Sequence, residues 1–166
     1  MKTLRFILAV FPVVMALVAP LPAADGDKDL EQQITDAQVT GLVKLTCTAL
    51  TKDAAAVVAA INKGEAPYTD AVNPTLYVFV YDSAVTMVAH PRTELVGQSF
   101  KGKPDVKGKA FRDEIVDRAL KEGTGWVFYT YQKPGDTVFY PKMTYFTRVV
   151  GSDGKTYVVC AGKYKS

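Results

Sequence analysis

Histidine occurs once in the 166 residues, as His90, and cysteine twice, as the widely separated Cys47 and Cys160. That scarcity excludes zinc signatures, which need clustered Cys and His ligands. Nucleotide loops are missing as well. Gly123-Thr124-Gly125 lacks a third glycine and follows a helical segment, not a strand, and no Walker sequence occurs. Neither is there a Gly-x-Ser-x-Gly elbow. Ser152 and Lys155 match a Ser-x-x-Lys pattern, but on a predicted hairpin turn where water solvates both side chains. A Ser-His-Asp triad would have to use His90, and no nearby serine is presented to it. The adjacent acids Asp113 and Glu114 face different ways on a helix and fit a solvated surface. Net charge is low too. The formal +3 falls to +1 once Lys2 and Arg5 are set aside with the N-terminal segment, which gives no footprint for nucleic acid. Nothing points to catalysis, a metal or a cofactor.

Long apolar runs are confined to the start. Lys2 and Arg5 precede Phe6 to Val18, an apolar stretch interrupted by Pro12. Pro20 to Ala24 then give a small, helix-breaking end before the polar Asp25-Gly26-Asp27-Lys28. Residues 1–24 are laid out as a secretory signal peptide, with an apolar core shorter than the ~20 residues that cross a bilayer. The competing reading is an uncleaved N-terminal anchor. Either one places residues 25–166, a single domain by length, in the periplasm or outside the cell. There a Cys47–Cys160 disulfide becomes possible, which loop-closure entropy would value at up to roughly 5 kcal/mol. Two buried free thiols acting as small hydrophobes are the alternative.

Residues 30–61 have helical composition, with Leu30, Ile34 and Ala37, then Ala54, Val57, Val58 and Ile61, at helical spacing. Gly41, Thr46, Thr48 and Thr51 weaken the middle and predict a bend, and Gly64 and Pro67 end the segment. Leu76 to Tyr81 and Val85 to Ala89 read as strands around a turn at Asp82-Ser83. Pro91 to Gly108 reads as loop and Ala110 to Lys121 as a helix closed by Gly123. Trp126–Gln132, Val138–Val150 and Thr156–Tyr164 are the last three strands, with Asp153-Gly154 as a hairpin turn. The order predicts an α+β domain on one antiparallel sheet.

Aromatic residues are plentiful: nine Tyr, eight Phe and one Trp, concentrated in the strands. Alternation puts Tyr77, Phe79 and Tyr81 on one face of their strand and Tyr129 and Tyr131 on one face of another, with Trp126 and Phe128 at the opposite parity. Rows of tyrosines are either core bodies with hydroxyls at the rim or the wall of a polar-ligand pocket. Lys142 weighs toward the pocket. It sits inside the strand-like run Phe139 to Phe146, where a lysine either reaches water or is buried with an anion. His90 ends a strand before Pro91.

The ordered set of these pieces resembles the single Cache domain, type 2, an extracytoplasmic sensor module of chemoreceptors, sensor kinases and stand-alone secreted proteins. The matching stretches are Tyr77-Val78-Phe79-Val80-Tyr81-Asp82, Ala89-His90-Pro91, Leu95-Val96-Gly97, Gly108-Lys109-Ala110-Phe111, Gly123 to Tyr129, Pro141-Lys142-Met143-Thr144-Tyr145 and Ala161-Gly162-Lys163-Tyr164. The resemblance implies a PAS-like, five-stranded antiparallel sheet with a long N-terminal helix, and a pocket for a small organic ligand, often a carboxylate. It places Lys142, His90, Trp126, Tyr129 and Tyr145 at ligand contacts, with Tyr81 and Phe111 as pocket wall. It implies a partner such as a membrane sensor kinase, chemoreceptor or transporter, because the signalling segments that follow the module are missing here, and a homodimer through the N-terminal helix. The chain departs from the pattern after Asp82, where Ser83-Ala84-Val85 replaces a glycine-containing turn. The other function classes are a non-catalytic interaction subunit and a small periplasmic enzyme with His90 as base.

Overall fold

The computed structural model describes residues 33–165. The leader reading and the start of the predicted helix at Leu30 lie outside them. The described chain begins with helix α1, Asp36–Leu50, and helix α2, Ala54–Asn62. Thr35 and Gln38 cap α1 reciprocally: the Gln38 N–H donates to Thr35 Oγ1 and the Thr35 N–H to Gln38 Oε1. Residues 51–53 separate the two helices, and Asp53 caps α2 by accepting from the Ala56 N–H. This break is the bend that the threonines predicted. α1 buries Val39, Val43, Thr46 and Leu50, and α2 buries Ala54, Val57 and Ile61, each set at helical spacing. Both sets face one side of the sheet.

Strands β1 (Val78–Tyr81), β2 (Met87–Ala89), β3 (Thr124–Gln132), β4 (Phe139–Val150) and β5 (Thr156–Tyr164) form one antiparallel sheet in the order β2-β1-β5-β4-β3. Between β2 and β3 run a loop with a 3-10 turn at Thr93–Leu95 and helix α3, Phe111–Glu122. The architecture is α+β and PAS-like, as expected. The sheet is the middle of three layers, with α1 and α2 on one side and the loop with α3 on the other. All four residues of β1 are therefore buried, Val78 and Val80 toward α1 and α2, Phe79 and Tyr81 toward α3.

The turn after Asp82 solves its missing glycine locally. Asp82 Oδ1 accepts from the N–H groups of Ala84 and Thr86, and Val85 takes φ 63°. A β-branched residue in the left-handed region is strained, and burial of its side chain against the α3-side core offsets that strain.

The possible Cys47–Cys160 disulfide is absent: both are free thiols. Cys160 points into the α3-side core, whereas Cys47 packs on the α1 side, so the sheet lies between them. Burial pushes the Cys47 thiol up to about 11 and raises that of Cys160 strongly, which leaves both as inert hydrophobes.

Candidate ligand-binding site

Antiparallel register decides which side chains share the α3 face. Lys142 on β4 lies directly opposite Tyr129 on β3 and Tyr164 on β5, so the three project from the sheet together. Tyr77, Phe79 and Tyr81 come from the β1 segment, Met87 and His90 from β2 and its end, Tyr131 from β3 and Phe111 from the first residue of α3. With Tyr129 and Lys142 they enclose a pocket whose remaining void is ≈ 10 Å³, room for about one water. Phe111 closes it from above, stacked on Tyr129 at 3.8 Å between ring centroids.

Lys142 is the unusual group. Its side chain is only 2% exposed, and its Nζ donates to Tyr77 Oη at 3.0 Å. The ammonium lies 4.4 Å from the centroid of the Tyr77 ring and 4.7 Å from that of Tyr164. Ring faces attract a cation, but an ammonium has three donors, and the Tyr77 hydroxyl is its one hydrogen-bond partner among the described residues. None of their carboxylates forms an ion pair with it. Gly162 makes this placement possible. A Cβ there would stand 2.5 Å from Thr144 Oγ1 and 3.1 Å from Lys142 Cε, so the bare backbone gives the lysine stem its path.

His90 is held from both sides. Its backbone N–H donates to Asn62 Oδ1 at 2.9 Å, and its ring Nδ1 accepts from the Arg92 N–H at 2.8 Å. Burial and the charges of Lys142, Arg92 and Arg112 push its pKa down to about 3, so the ring is neutral near pH 7. With Nδ1 accepting, the hydrogen sits on Nε2, a donor beside the rings of Tyr77 and Phe79. Tyr129 shares a hydrogen bond of 2.9 Å with Thr144, and burial raises its pKa well above the phenol range. Burial also raises that of Tyr81, against the opposing charge of Arg112. The site thus offers one ammonium, phenol hydroxyls and one neutral imidazole, all of which can donate, and no anion.

The loop over the pocket is tied down by Asp105. Its Oδ1 accepts from the N–H groups of Lys107 and Lys109, and its Oδ2 from the Thr130 N–H on the outer edge of β3. Burial works to raise its pKa, but these donors outweigh it and the carboxyl stays below its ordinary range.

Of the seven residues expected at the site, Lys142, His90, Tyr129, Tyr81 and Phe111 come together there. Trp126 and Tyr145 do not. They face each other across β3 and β4, pack ring to ring at 5.1 Å and lie against the α1-side core. The reason is the pleat. Trp126 is three residues from Tyr129 and Tyr145 three from Lys142, and odd steps change face. Tyr77, Phe79, Met87 and Tyr131 are pocket residues missing from that set. For three of them the signal was available, since Tyr77 and Phe79 alternate with Tyr81, and Tyr131 with Tyr129.

The model of the family "Single Cache domain 2" matches residues 33–164. Among solved structures, the periplasmic sensor domain of a chemotaxis protein is 26% identical, with a TM-score of 0.58, covering 85% of this chain and 94% of that one. A Cache chemosensory domain studied for carboxylic acid recognition is 21% identical, with a TM-score of 0.58 and coverage of 85% and 92%. A methyl-accepting chemotaxis protein from Vibrio parahaemolyticus is 18% identical, with a TM-score of 0.59 and coverage of 84% and 96%. These last two show the shared fold. No curated protein matches the chain. With nearly all of its described length matched, from the capped start of α1 to the end of β5, the chain belongs to the single Cache domain 2 family.

Proposed function

We propose that the domain binds a small organic carboxylate in the pocket beneath α3, with no chemistry performed on it. The observation that carries this reading is the buried Lys142 ammonium without a carboxylate among the described residues. A buried unpaired charge is costly, and a carboxylate guest removes that cost while gaining a charge-assisted hydrogen bond. The Tyr77 hydroxyl and His90 Nε2–H are placed to donate as well. The carboxylic acid recognised by one structural relative agrees with this choice of chemistry. Residues 1–24 then serve as the export leader and residues 25–166 as the exported domain, which reports occupancy to a membrane sensor kinase, chemoreceptor or transporter. Among the described residues no helix is long and apolar enough to cross a membrane.

Magnitudes limit the ligand. About six heavy atoms reach ~9 kcal/mol at the ceiling for tiny ligands. Micromolar binding needs about 8.2 kcal/mol, so nearly every ligand atom must be engaged. A void of ≈ 10 Å³ also requires side chains to move on entry. Phe111, at the start of α3, is the one lining residue that a helix supplies.

The small void favours a second reading, in which the pocket is filled permanently and the domain acts only by docking onto a membrane protein. Calorimetric titration separates the two. Short carboxylates such as acetate, propionate and pyruvate should bind at least tenfold more tightly than acetamide and propionamide, which match them without the charge. Equal binding of acids and amides, or none by either, rejects the carboxylate reading.

A further inference from the structure

Phe111 closes the pocket, yet the segment that leads to it is not packed. Phe100 and Phe111 are both buried, whereas none of residues 101–110 is. The near end of this segment is fixed, because the Phe100 N–H donates to the Val85 carbonyl at 3.0 Å. The far half of α3 is fixed as well. Ile115, Val116 and Ala119 are buried, Arg118 Nη1 donates to the Trp126 carbonyl at 2.9 Å, and Arg148 Nη1 donates to that of Leu120 at 2.8 Å. Between these anchors α3 starts at Ala110 without a side-chain cap.

Two hydrogen bonds tie the segment to the sheet among the described residues. Asp105 Oδ2 accepts from the Thr130 N–H at 2.9 Å, and Lys109 Nζ donates to the Phe128 carbonyl at 2.6 Å. Both partners lie on the outer edge of β3, which no further strand pairs. The other polar contacts of the segment go to α3 and travel with it: the Gly102 N–H donates to Asp113 at 3.0 Å, and Lys109 pairs with Glu114 at 3.0 Å. Thr130 stands between Tyr129 and Tyr131, two walls of the pocket, so the Asp105 tie is made at the pocket rim.

We infer that Asp105 is the latch of the pocket: residues 101–111 swing as a flap on the fixed half of α3, and the ligand enters between this flap and the outer edge of β3. This rests on the binding reading above and adds the route into the site. A void of ≈ 10 Å³ holds about one water, so a carboxylate enters only when a wall moves. The other lining residues stand on strands or at their ends, whereas Phe111 is carried by the flap. Opening it breaks two hydrogen bonds and lifts Phe111 from Tyr129, with the sheet left paired. The charge on the Asp105 carboxylate strengthens the closed state.

Amide hydrogen exchange followed by NMR tests the latch without a ligand. The Thr130 N–H has the Asp105 carboxylate as its acceptor, whereas those of Tyr129 and Tyr131 are directed at β4. In the wild-type chain Thr130 should exchange at least tenfold faster than Tyr129 and Tyr131. Asp105→Asn, which keeps the shape and removes the charge, should speed Thr130 at least tenfold further and leave those two unchanged. Thr130 exchanging as slowly as Tyr129 and Tyr131 overturns the latch, since the flap then opens only with the whole sheet; so does a variant with the wild-type rate at Thr130. Acetate provides the second measurement. Asp105→Asn should raise its association and dissociation rates at least fivefold each while Kd changes less than threefold, a split that loss of a merely structural contact would not give. Unchanged rates, or affinity lost through dissociation alone, overturn the assignment. If Asp105→Asn does not fold, the wild-type exchange rates and Lys109→Gln decide. Failure of the wild type to bind acetate counts against the carboxylate reading, and the latch then stands or falls on the exchange rates.

Discussion

The two faces of the sheet are built from alternate residues of the same strands, yet they do different work. The face toward α1 and α2 is apolar and closed: Val78, Val80, Val159 and Ala161 meet Val39, Val43, Leu50, Val57 and Ile61. The face toward α3 carries Tyr77, Tyr81, His90, Thr144 and Lys142 among its apolar neighbours, and each polar atom there must find a partner. One face stabilises the domain. The other retains a charge that no carboxylate of the described residues pairs, and the proposed function places the ligand there. Within β1 the division falls between adjacent positions, so a single strand belongs to scaffold and site at once.

The comparison is broken most strongly from the scaffold side. Leu50→Ala removes a fully buried side chain beneath the sheet and should cost about 2–5 kcal/mol in urea unfolding, with carboxylate selectivity unchanged in the folded fraction. A selectivity change would mean that the faces are not separable.

Acid should find the site face next. In the folded chain the pKa of His90 is held down at about 3, against 6.5 for the free side chain. As pH falls through 6.5 the unfolded chain takes up a proton that the native chain refuses. Stability therefore drops with falling pH, by at most about 1.4 kcal/mol per unit, until about pH 3. It is fully present only above 6.5. His90 is the only histidine, so His90→Gln should flatten the unfolding free energy between pH 4.5 and 6.5. An unaltered slope in that variant would place the proton uptake elsewhere.

The smallest of these effects sharpens the comparison instead. Gly162→Ala puts a methyl group into the path of Lys142 and against Thr144, and overpacking of this kind costs about 1–3 kcal/mol. Carboxylate affinity should fall with it, because the ammonium is displaced from Tyr77. Lost stability with intact affinity would show that the lysine has another route.

Much of the architecture was legible because it depends on period. The helical faces around Val57 and Ile61, the break near Thr51 and the succession of strands along the chain all follow from spacing and turn chemistry. Trp126 and Tyr145 show the limit of resemblance, since both stand near ligand positions in sequence while the pleat turns them to the other face. Their parity relative to Tyr129 and Lys142 already carried that information. Asp105 and Lys109 carried no comparable signal. They sit in a loop, and only the path of the chain over the sheet brings them to the edge of β3. The cysteines stayed open between bond and free thiols for a related reason, because separation along the chain says nothing of the side of the sheet on which each thiol lies.

Lys142→Met tests the central claim most directly, since it keeps an unbranched side chain, one atom shorter, and removes its charge. Measured together, carboxylate affinity should fall at least a hundredfold, while stability without ligand holds or rises by about 1–4 kcal/mol, as when buried charges give way to apolar residues. A variant that binds as before, or that loses several kcal/mol of stability, would show the ammonium to be a structural element already satisfied by its tyrosines.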